Sequence, residues 1–342
     1  MVRDVRHHYV QLAEQRNGLI SASLAPTGPC GDALGWMAAL PAHLRIVNLE
    51  TAITTWVQLW PHRALHHLMH PANTACLANN HPLDWAFNGL ADTLRNLKLA
   101  GIKAVGAGLN GHLAQAPARL TWPGGGQLLL FAWALLSSGV PPDGAATPDR
   151  PGVALLRGID IGTVKWVMRC ICRQRRPNDR VVVSLHWGAN WVLEIPERHR
   201  WLAQQLIDLA RVDVVYGHSS HHALPLELHS ERLILYGCGD LINDYEGLPA
   251  HDPWRSDLVC LYGVELDGDS GALLSLVLKP FQLKRFQLGP IRPVDRRLLE
   301  HQIGLQSAPL GWRCMAHEEL WRLERTFGTE ASAEQTLQSL AP

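Results

Sequence analysis

The sequence predicts an α/β protein. Short runs rich in Val, Ile and Leu alternate with longer helix-period segments, and two Gly-centred turns interrupt apolar stretches as hairpins would. The runs lack the strict apolar–polar alternation of a half-exposed sheet, which suits strands covered on both faces. At 342 residues, 47% hydrophobic and 18% charged, the chain is long enough to bury a sizeable core and is neither disordered nor fibrous. Its 31 basic and 31 acidic side chains cancel, which argues against a nucleic-acid partner, because phosphate neutralisation needs a basic excess.

In chain order, Asp4 caps a predicted first helix that runs to Asn17 and stops at Gly18. A loop rich in Ser, Pro and Gly follows. The predicted strands are Leu44–Asn48, Thr74–Ala78, Ile102–Val105, Gln127–Trp133, Val181–His186, Val212–Tyr216 and Arg232–Tyr236. Helical patterns occupy Phe87–Ala100, Gly162–Gln174 and Glu197–Ala210. Residues 120–127 and the Asp-Gly-Asp-Ser-Gly run at 267–271 read as hairpins. Leu136–Gly152 is a long loop, rich in Pro and Gly and of functional length. The main domain is expected to span 1–290, with a helical extension over 291–342. The longest apolar run, Leu128–Leu136, is too short to cross a bilayer, and no leader opens the chain as written.

The chemistry gathers where strands end. Val47 is followed by Asn48-Leu49-Glu50, Ala78 by Asn79-Asn80-His81 and Asp84, and Leu185 by His186-Trp187-Gly188. Tyr216 is followed by Gly217-His218-Ser219-Ser220-His221-His222, and Tyr236 by Asp240 and Asn243. In open α/β sheets the carboxyl edge is where ligands bind, so these side chains are expected to share one site. Neutral imidazoles with carboxylate and amide oxygens suit Zn, Mn or Fe, and a pair of such ions ~3.5–4 Å apart would clamp a phosphoryl-type transfer. The enrichment in His, at 18, fits such a centre. The 7 Cys show no zinc or redox spacing and read as buried thiols without a structural disulfide.

The ordered runs Asn48–Thr51, Ala78–Trp85, Gly106–Gly108, Ser184–Gly188 and Gly217–His221 make residues 30 to 280 resemble the CapA capsule-synthesis family, associated with poly-γ-glutamate (capsule) synthesis or export. The resemblance implies a calcineurin-like metallophosphoesterase fold, an αββα sandwich of two packed mixed sheets. It implies His81 as a proton donor, with Asp84 orienting His81 or the loop, and Asn80, His186, His218, His221 and Glu50 as metal ligands. Asn48, Trp187, Asp240 and Asn243 would line the substrate side. It further implies a divalent transition metal, mono- or dinuclear, a polyglutamate or cell-envelope polymer with its synthesis machinery as partner, and a location often outside the cytoplasm or anchored.

The sequence also departs from that family. Its members open with a hydrophobic strand ending in Gly-Asp, where this chain has the polar segment Val5–Asn17. The early Gly31-Asp32 follows a stretch with two Pro, a poor strand, so Asp32 is a weak substitute. The segment between Pro71 and Ala78 is short, and Ala86 stands where the family has glycine. Either the chain starts upstream of Met1, or this copy has lost a metal ligand. The functional alternatives are accordingly a metal-dependent hydrolase of the phosphoesterase type and a non-catalytic polymer-handling or scaffold subunit. A TIM-barrel hydrolase is a third, disfavoured by the hairpins.

Some residues have plain readings beside the functional ones. His62, His66, His67 and His70 sit at helix spacing and form either a metal-capable or a wet helix face. His7, His8 and His199 read as surface helix residues. Trp187 and Trp191 serve either stacking on a substrate or burial. Arg173, Arg175 and Arg176 read as a solvated helix end, and Gly106-Ala107-Gly108 as a tight turn.

Overall fold

The computed structural model describes residues 11–20, 30–54, 72–123, 125–246, 248, 254–305, 307–317 and 320–325. The start of the expected first helix lies outside these residues, which show helix over 11–17. His7, His8 and the histidines at 62, 66, 67 and 70 lie outside them too.

Helix α1 (Ala33–Ala39) precedes strands β1 (Ile46–Asn48) and β2 (Thr74–Cys76), then α2 (Ala86–Leu99), β3 (Lys103–Val105) and β4 (Ala107–Gly108). There follow α3 (Gly111–Gln115), β5 (Ala118–Thr121), β6 (Gln127–Leu135), β7 (Gly152–Val153), β8 (Leu155–Leu156), α4 (Ile161–Gln174), β9 (Arg180–His186), α5 (Glu197–Ala210) and β10 (Val214–His218). The chain continues through β11 (Leu226–His229), β12 (Arg232–Leu235), β13 (Leu258–Leu266), β14 (Leu273–Lys284), β15 (Gln287–Gly289), α6 (Pro293–Glu300), β16 (Trp312–His317) and β17 (Leu320–Arg325).

One sheet has the order β11-β12-β10-β9-β6-β5, with β8 beside β6. Its centre is parallel, as runs without apolar–polar alternation require, and its edges β5 and β11 are antiparallel. Strand β9 is buried at every residue, and its alternate side chains serve two cores. Val181, Val183 and Leu185 face α4 and α5, whose Val164, Val167, Ile171, Leu202, Leu206 and Ile207 repeat at helical spacing. Asp160 starts α4 by accepting the Thr163 N–H at 2.7 Å.

Val182, with Val214 and Leu235 from the neighbouring strands, faces the opposite way, against a second β layer. That layer holds the parallel sheet β1-β2-β3 and the antiparallel sheet of β13 to β17. Helix α2 covers the outer face of the first through Leu90 and Leu97. Helix α1 covers the second through Ala33, near Phe281 and Leu283. The layers are thus helix, sheet, sheet, helix: the αββα order of the calcineurin-like sandwich. The second layer is divided between two sheets instead of one mixed sheet. The antiparallel pairs exclude a TIM barrel, and both expected hairpins form, β5–β6 and β13–β14.

Past residue 290 the structure departs from the expected helical extension. After α6, strands β16 and β17 pair with each other, and β17 pairs with β14. Trp321 and Leu323 are buried while Arg322 between them is exposed, a strand alternation hidden in a charged stretch. Trp312 and Trp321 belong to the core between the sheets, so this segment completes the sandwich.

Asp32 sits at the N-cap of α1, its backbone N–H donating to the Leu288 carbonyl. Among the described residues the first strand is β1, and none of the helices is long and apolar enough to cross a membrane. Cys30, Cys76, Cys170, Cys172, Cys238 and Cys260 are free thiols; Cys30, Cys76 and Cys260 are buried as expected, Cys170 and Cys238 are half-buried, and Cys172 is exposed. Gly106, at φ +88, makes the turn between β3 and β4; a Cβ there would come within 2.6 Å of the Ala78 side chain, so the tight-turn reading has a packing reason.

Candidate functional site

The carboxyl ends of the two parallel sheets meet on the inner side of the sandwich. Strands β9 and β10 pair in parallel with His218 opposite His186 and Tyr216 opposite Ser184. The period of two sends 184, 186, 216 and 218 to the face toward β2. The Cys76 thiol at the end of β2 lies 2.9 Å from the Tyr216 hydroxyl, which joins the two layers directly below the site.

From the β1–β3 side come Asn48, Glu50 and the 79–84 turn. The Asn79 amide donates to the Asn48 side-chain oxygen and the Leu49 carbonyl, each at 3.0 Å, and its own oxygen accepts the His81 backbone N–H at 3.1 Å. This buried clamp fixes the turn. Asn80 Oδ1 then lies 2.9 Å from His186 Nε2, and Asn80 Nδ2 lies 3.1 Å from His81 Nε2. His81 Nδ1 lies 2.9 Å from Asp84. Asn48 donates to Glu50 Oε2 at 2.8 Å, whereas Glu50 Oε1 is buried with no hydrogen-bond partner among the described residues, 3.8 Å from His186 Nε2.

Glu50, His186 and His218 each offer one ligand atom, all within 4.8 Å of one another. The Nδ1 atoms of His186 and His218 approach to 2.6 Å, and His218 Nε2 is 2.8 Å from Ser184 Oγ. His221 stands apart from this trio, its Nδ1 3.1 Å from Asp240 and 3.5 Å from the Tyr245 hydroxyl.

Burial sets the electrostatics. It drives His218 down to about 3, aided by the charge of His221. His186 is likewise held well below its ordinary value by burial and by His218, His221 and His81. Both imidazoles are therefore neutral and have a lone pair to offer, as a metal ligand must. Burial and the nearby Asp240 raise the Glu50 carboxyl, against the lowering pull of His221 and His81. His81 is raised chiefly by its hydrogen bond to Asp84. At His221 burial pulls down, but the hydrogen bond to Asp240 and the charges of Asp240 and Glu50 outweigh it. The site thus holds two histidines pushed down and two pushed up from the ordinary value.

This donor set fits a divalent cation: two neutral imidazoles, a buried carboxylate oxygen without a partner and an amide oxygen facing the same point. Among the sequence-predicted residues, Asn48, Glu50, Asn80, His81, Asp84, His186, His218, His221 and Asp240 come together. Two do not. Trp187 belongs to the opposite face of the sheet by the same period of two; it is 4% exposed, donates to the Tyr236 carbonyl at 2.9 Å, and packs in the helix-side core. His199, expected at the surface, is buried there and stacks on Trp187 with ring centroids 4.8 Å apart. Asn243 spends its side chain on the Ser256 carbonyl, to which it donates at 2.8 Å, and on the Tyr245 N–H, which it accepts at 3.2 Å.

Trp191 does border the site. Held at φ +60, it stacks on His221 at 4.9 Å and meets Tyr245 edge-on at 5.4 Å. Asn79 is one of the strand-end residues the sequence pointed to, without an assigned role, whereas Ser184 and Tyr245 were given no place in the site. The position of Ser184 two residues before a strand-end histidine was a usable signal; nothing local marks Tyr245.

An αββα sandwich with imidazole, carboxylate and amide groups gathered at the carboxyl edge of its sheets defines the class of this protein. The family described as bacterial capsule synthesis protein PGA_cap matches residues 5–245, and the chain belongs to it. It is 36% identical over 322 residues, 91% of this chain and 84% of the relative, to a "Probable polyglutamine synthesis accessory protein" of Mycobacterium tuberculosis. It is 29% identical over 168 residues to the PGA biosynthesis protein CapA of Bacillus subtilis, 49% of this chain and 41% of that one. A crystal structure of a novel phosphatase from Mycoplasma pneumoniae overlays with a TM-score of 0.45 at 11% identity, covering 73% of this chain and 86% of that one. That likeness is too loose to bear on chemistry.

Proposed function

We propose that this chain is a capsule-type polymer biosynthesis protein with a metal-dependent hydrolytic site, acting on a phosphorylated or polyanionic cell-envelope substrate such as a polyglutamate chain. The observation that carries the reading is the buried, unpartnered Glu50 oxygen facing two neutral buried histidines. Glu50, His186 and His218 would hold a single divalent cation, with Asn80 Oδ1 beside His186 as a further ligand. Such an ion polarises a phosphoryl or carbonyl oxygen and acidifies a water.

The chain's own residues supply the rest. His81 is the most open of the site's histidines at 38% exposed, and its hydrogen bond to Asp84 raises its pKa and so favours the proton-bearing form, which places it to give a proton to a leaving oxygen. The hydrogen bond to Asp240 favours the cationic form of His221 against its burial, and that form would add positive charge beside Glu50 for an anionic substrate. Trp191 and Tyr245 wall that side.

The test uses the full chain with bound metal quantified, assayed for phosphodiester hydrolysis and polyglutamate cleavage. Metal binding and turnover that both vanish in His186→Ala and His218→Ala support the reading; a wild-type chain with neither property overturns it. The second reading is a non-catalytic polymer-handling subunit, favoured by the word "accessory" in the name of the Mycobacterium relative. Polyglutamate binding that survives chelation and both substitutions would favour it.

A further inference from the structure

Asn79 belongs to neither the donor set nor the proton-donor turn, yet its side chain is bonded to both. It is fully buried just past the end of β2. Strands β1 and β2 pair in parallel with Asn48 opposite Cys76, so the residues that follow them leave the sheet side by side. A carboxamide carries one acceptor oxygen and an NH2 with two protons. Asn79 Nδ2 donates to the Leu49 carbonyl, and Asn79 Oδ1 accepts the His81 backbone N–H. A carbonyl can only accept and a backbone N–H can only donate, so the Asn79 amide has one possible orientation. Its second Nδ2 proton then goes to Asn48 Oδ1 at 3.0 Å, which orients that amide in turn. Reversed, Asn48 would set NH2 against NH2 and its oxygen against a carboxylate. Its own NH2 therefore faces Glu50 Oε2 at 2.8 Å, and Oε1 is the oxygen left toward His186 Nε2.

We propose that Asn79 is a positioning residue that sets both halves of the site at once. Through Nδ2 and Asn48 it turns Glu50 Oε1 toward His186 and His218, and through Oδ1 it holds the turn that presents Asn80 and His81. One buried amide thereby fixes the spacing between the proposed cation and the proton donor. Ligating carboxylates in general are held by such hydrogen bonds, and loss of the partner weakens metal binding ~10–100-fold. The significance for cation binding rests on the proposed function; the hydrogen-bond chain from Asn79 to Glu50 does not.

The experiment compares the full-length wild type with Asn48→Ala, Asn79→Ala and the double variant, each first shown to be folded by its melting transition. Zn(II) affinity is read by competition with a chromophoric chelator, and hydrogen exchange at the His81 amide of metal-free protein reads the turn. Asn48→Ala should lose ~10–100-fold in affinity with exchange at His81 unchanged. Asn79→Ala should lose at least as much and exchange faster at His81. Because Asn79 reaches Glu50 through Asn48, the double variant should bind no more weakly than Asn79→Ala alone. Wild-type affinity in Asn48→Ala, losses that multiply in the double variant, or unchanged His81 exchange in Asn79→Ala overturns the proposal. Should Asn79→Ala not fold, Asn48→Ala alone tests the relay. If the wild type takes up no Zn(II), the cation reading fails and a crystal structure of metal-free Asn48→Ala decides the relay. A Glu50 carboxylate turned away from His186 supports it, and one left as in wild type overturns it.

Discussion

Glu50 offers the sharpest separation of function from stability. Its Oε2 accepts from Asn48, but among the described residues Oε1 is buried with no hydrogen-bond partner, in a side chain 16% exposed. Burial and Asp240 raise its pKa, so the native state holds the charged form less favourably than the unfolded chain does. An unsatisfied buried polar group costs ~1–3 kcal/mol, more when charged. Glu50→Gln keeps the shape and one carbonyl oxygen for Asn48 while removing the charge, so in chelator it should stabilise the protein by about that amount. At roughly 2–4 °C per kcal/mol for domains of 150–250 residues, and less for a longer chain, the melting temperature should rise ~2–6 °C. With metal at 100 times its Kd the wild type should gain about 2.7 kcal/mol, and the variant little of it. The order of stability should therefore invert between chelator and metal in parallel thermal scans. A variant that melts lower than wild type in chelator, or keeps the full metal shift, would show that the carboxylate is an ordinary structural acceptor.

Two further outcomes follow from the same geometry. His186 and His218, depressed below the ordinary value of 6.5, stay neutral in the fold while the unfolded chain takes up protons, so stability falls as pH drops below about 6.5, by at most ~1.4 kcal/mol per unit and histidine. His81 and His221 are raised, so their contribution is complete below 6.5 and lost as pH rises through their folded values; urea unfolding of metal-free protein should peak between the two windows, and a monotonic gain down to pH 5 would contradict it. Trp187→Ala should cost ~3–5 kcal/mol by emptying the helix-side core, yet leave the metal affinity of the remaining folded protein unchanged. A tenfold loss of affinity in that variant, measured by titration, would return Trp187 to the site.

The strands and their polar ends are legible because a covered parallel strand has a distinct composition and the residues beyond it must carry whatever the edge presents. That signal in the linear chain located His186, His218, Asn80 and Glu50. It could not tell Trp187 from His186. Adjacent residues of a strand face opposite layers, and only the phase of β9 against its helices decides which one enters the site. His199 failed for a similar reason: a helical histidine looks solvated until the tryptophan it stacks on is placed beneath it. The last strands hid because Trp312 and Trp321 stand among arginines, and a charged stretch reads as surface until its alternation is matched to a partner strand.

The amino-acid order by itself determined the α/β class, the carboxyl-edge position of the chemistry and the membership of most of the donor set, since these depend on local pattern and spacing. Tertiary structure alone decided which imidazole nitrogen faces inward, that Glu50 Oε1 lacks a hydrogen-bond partner, and that His221 pairs with Asp240 apart from the trio. Those properties arise where two sheets meet. Hydrogen-bond partners and desolvation there come from residues far apart in sequence, and no local pattern encodes them.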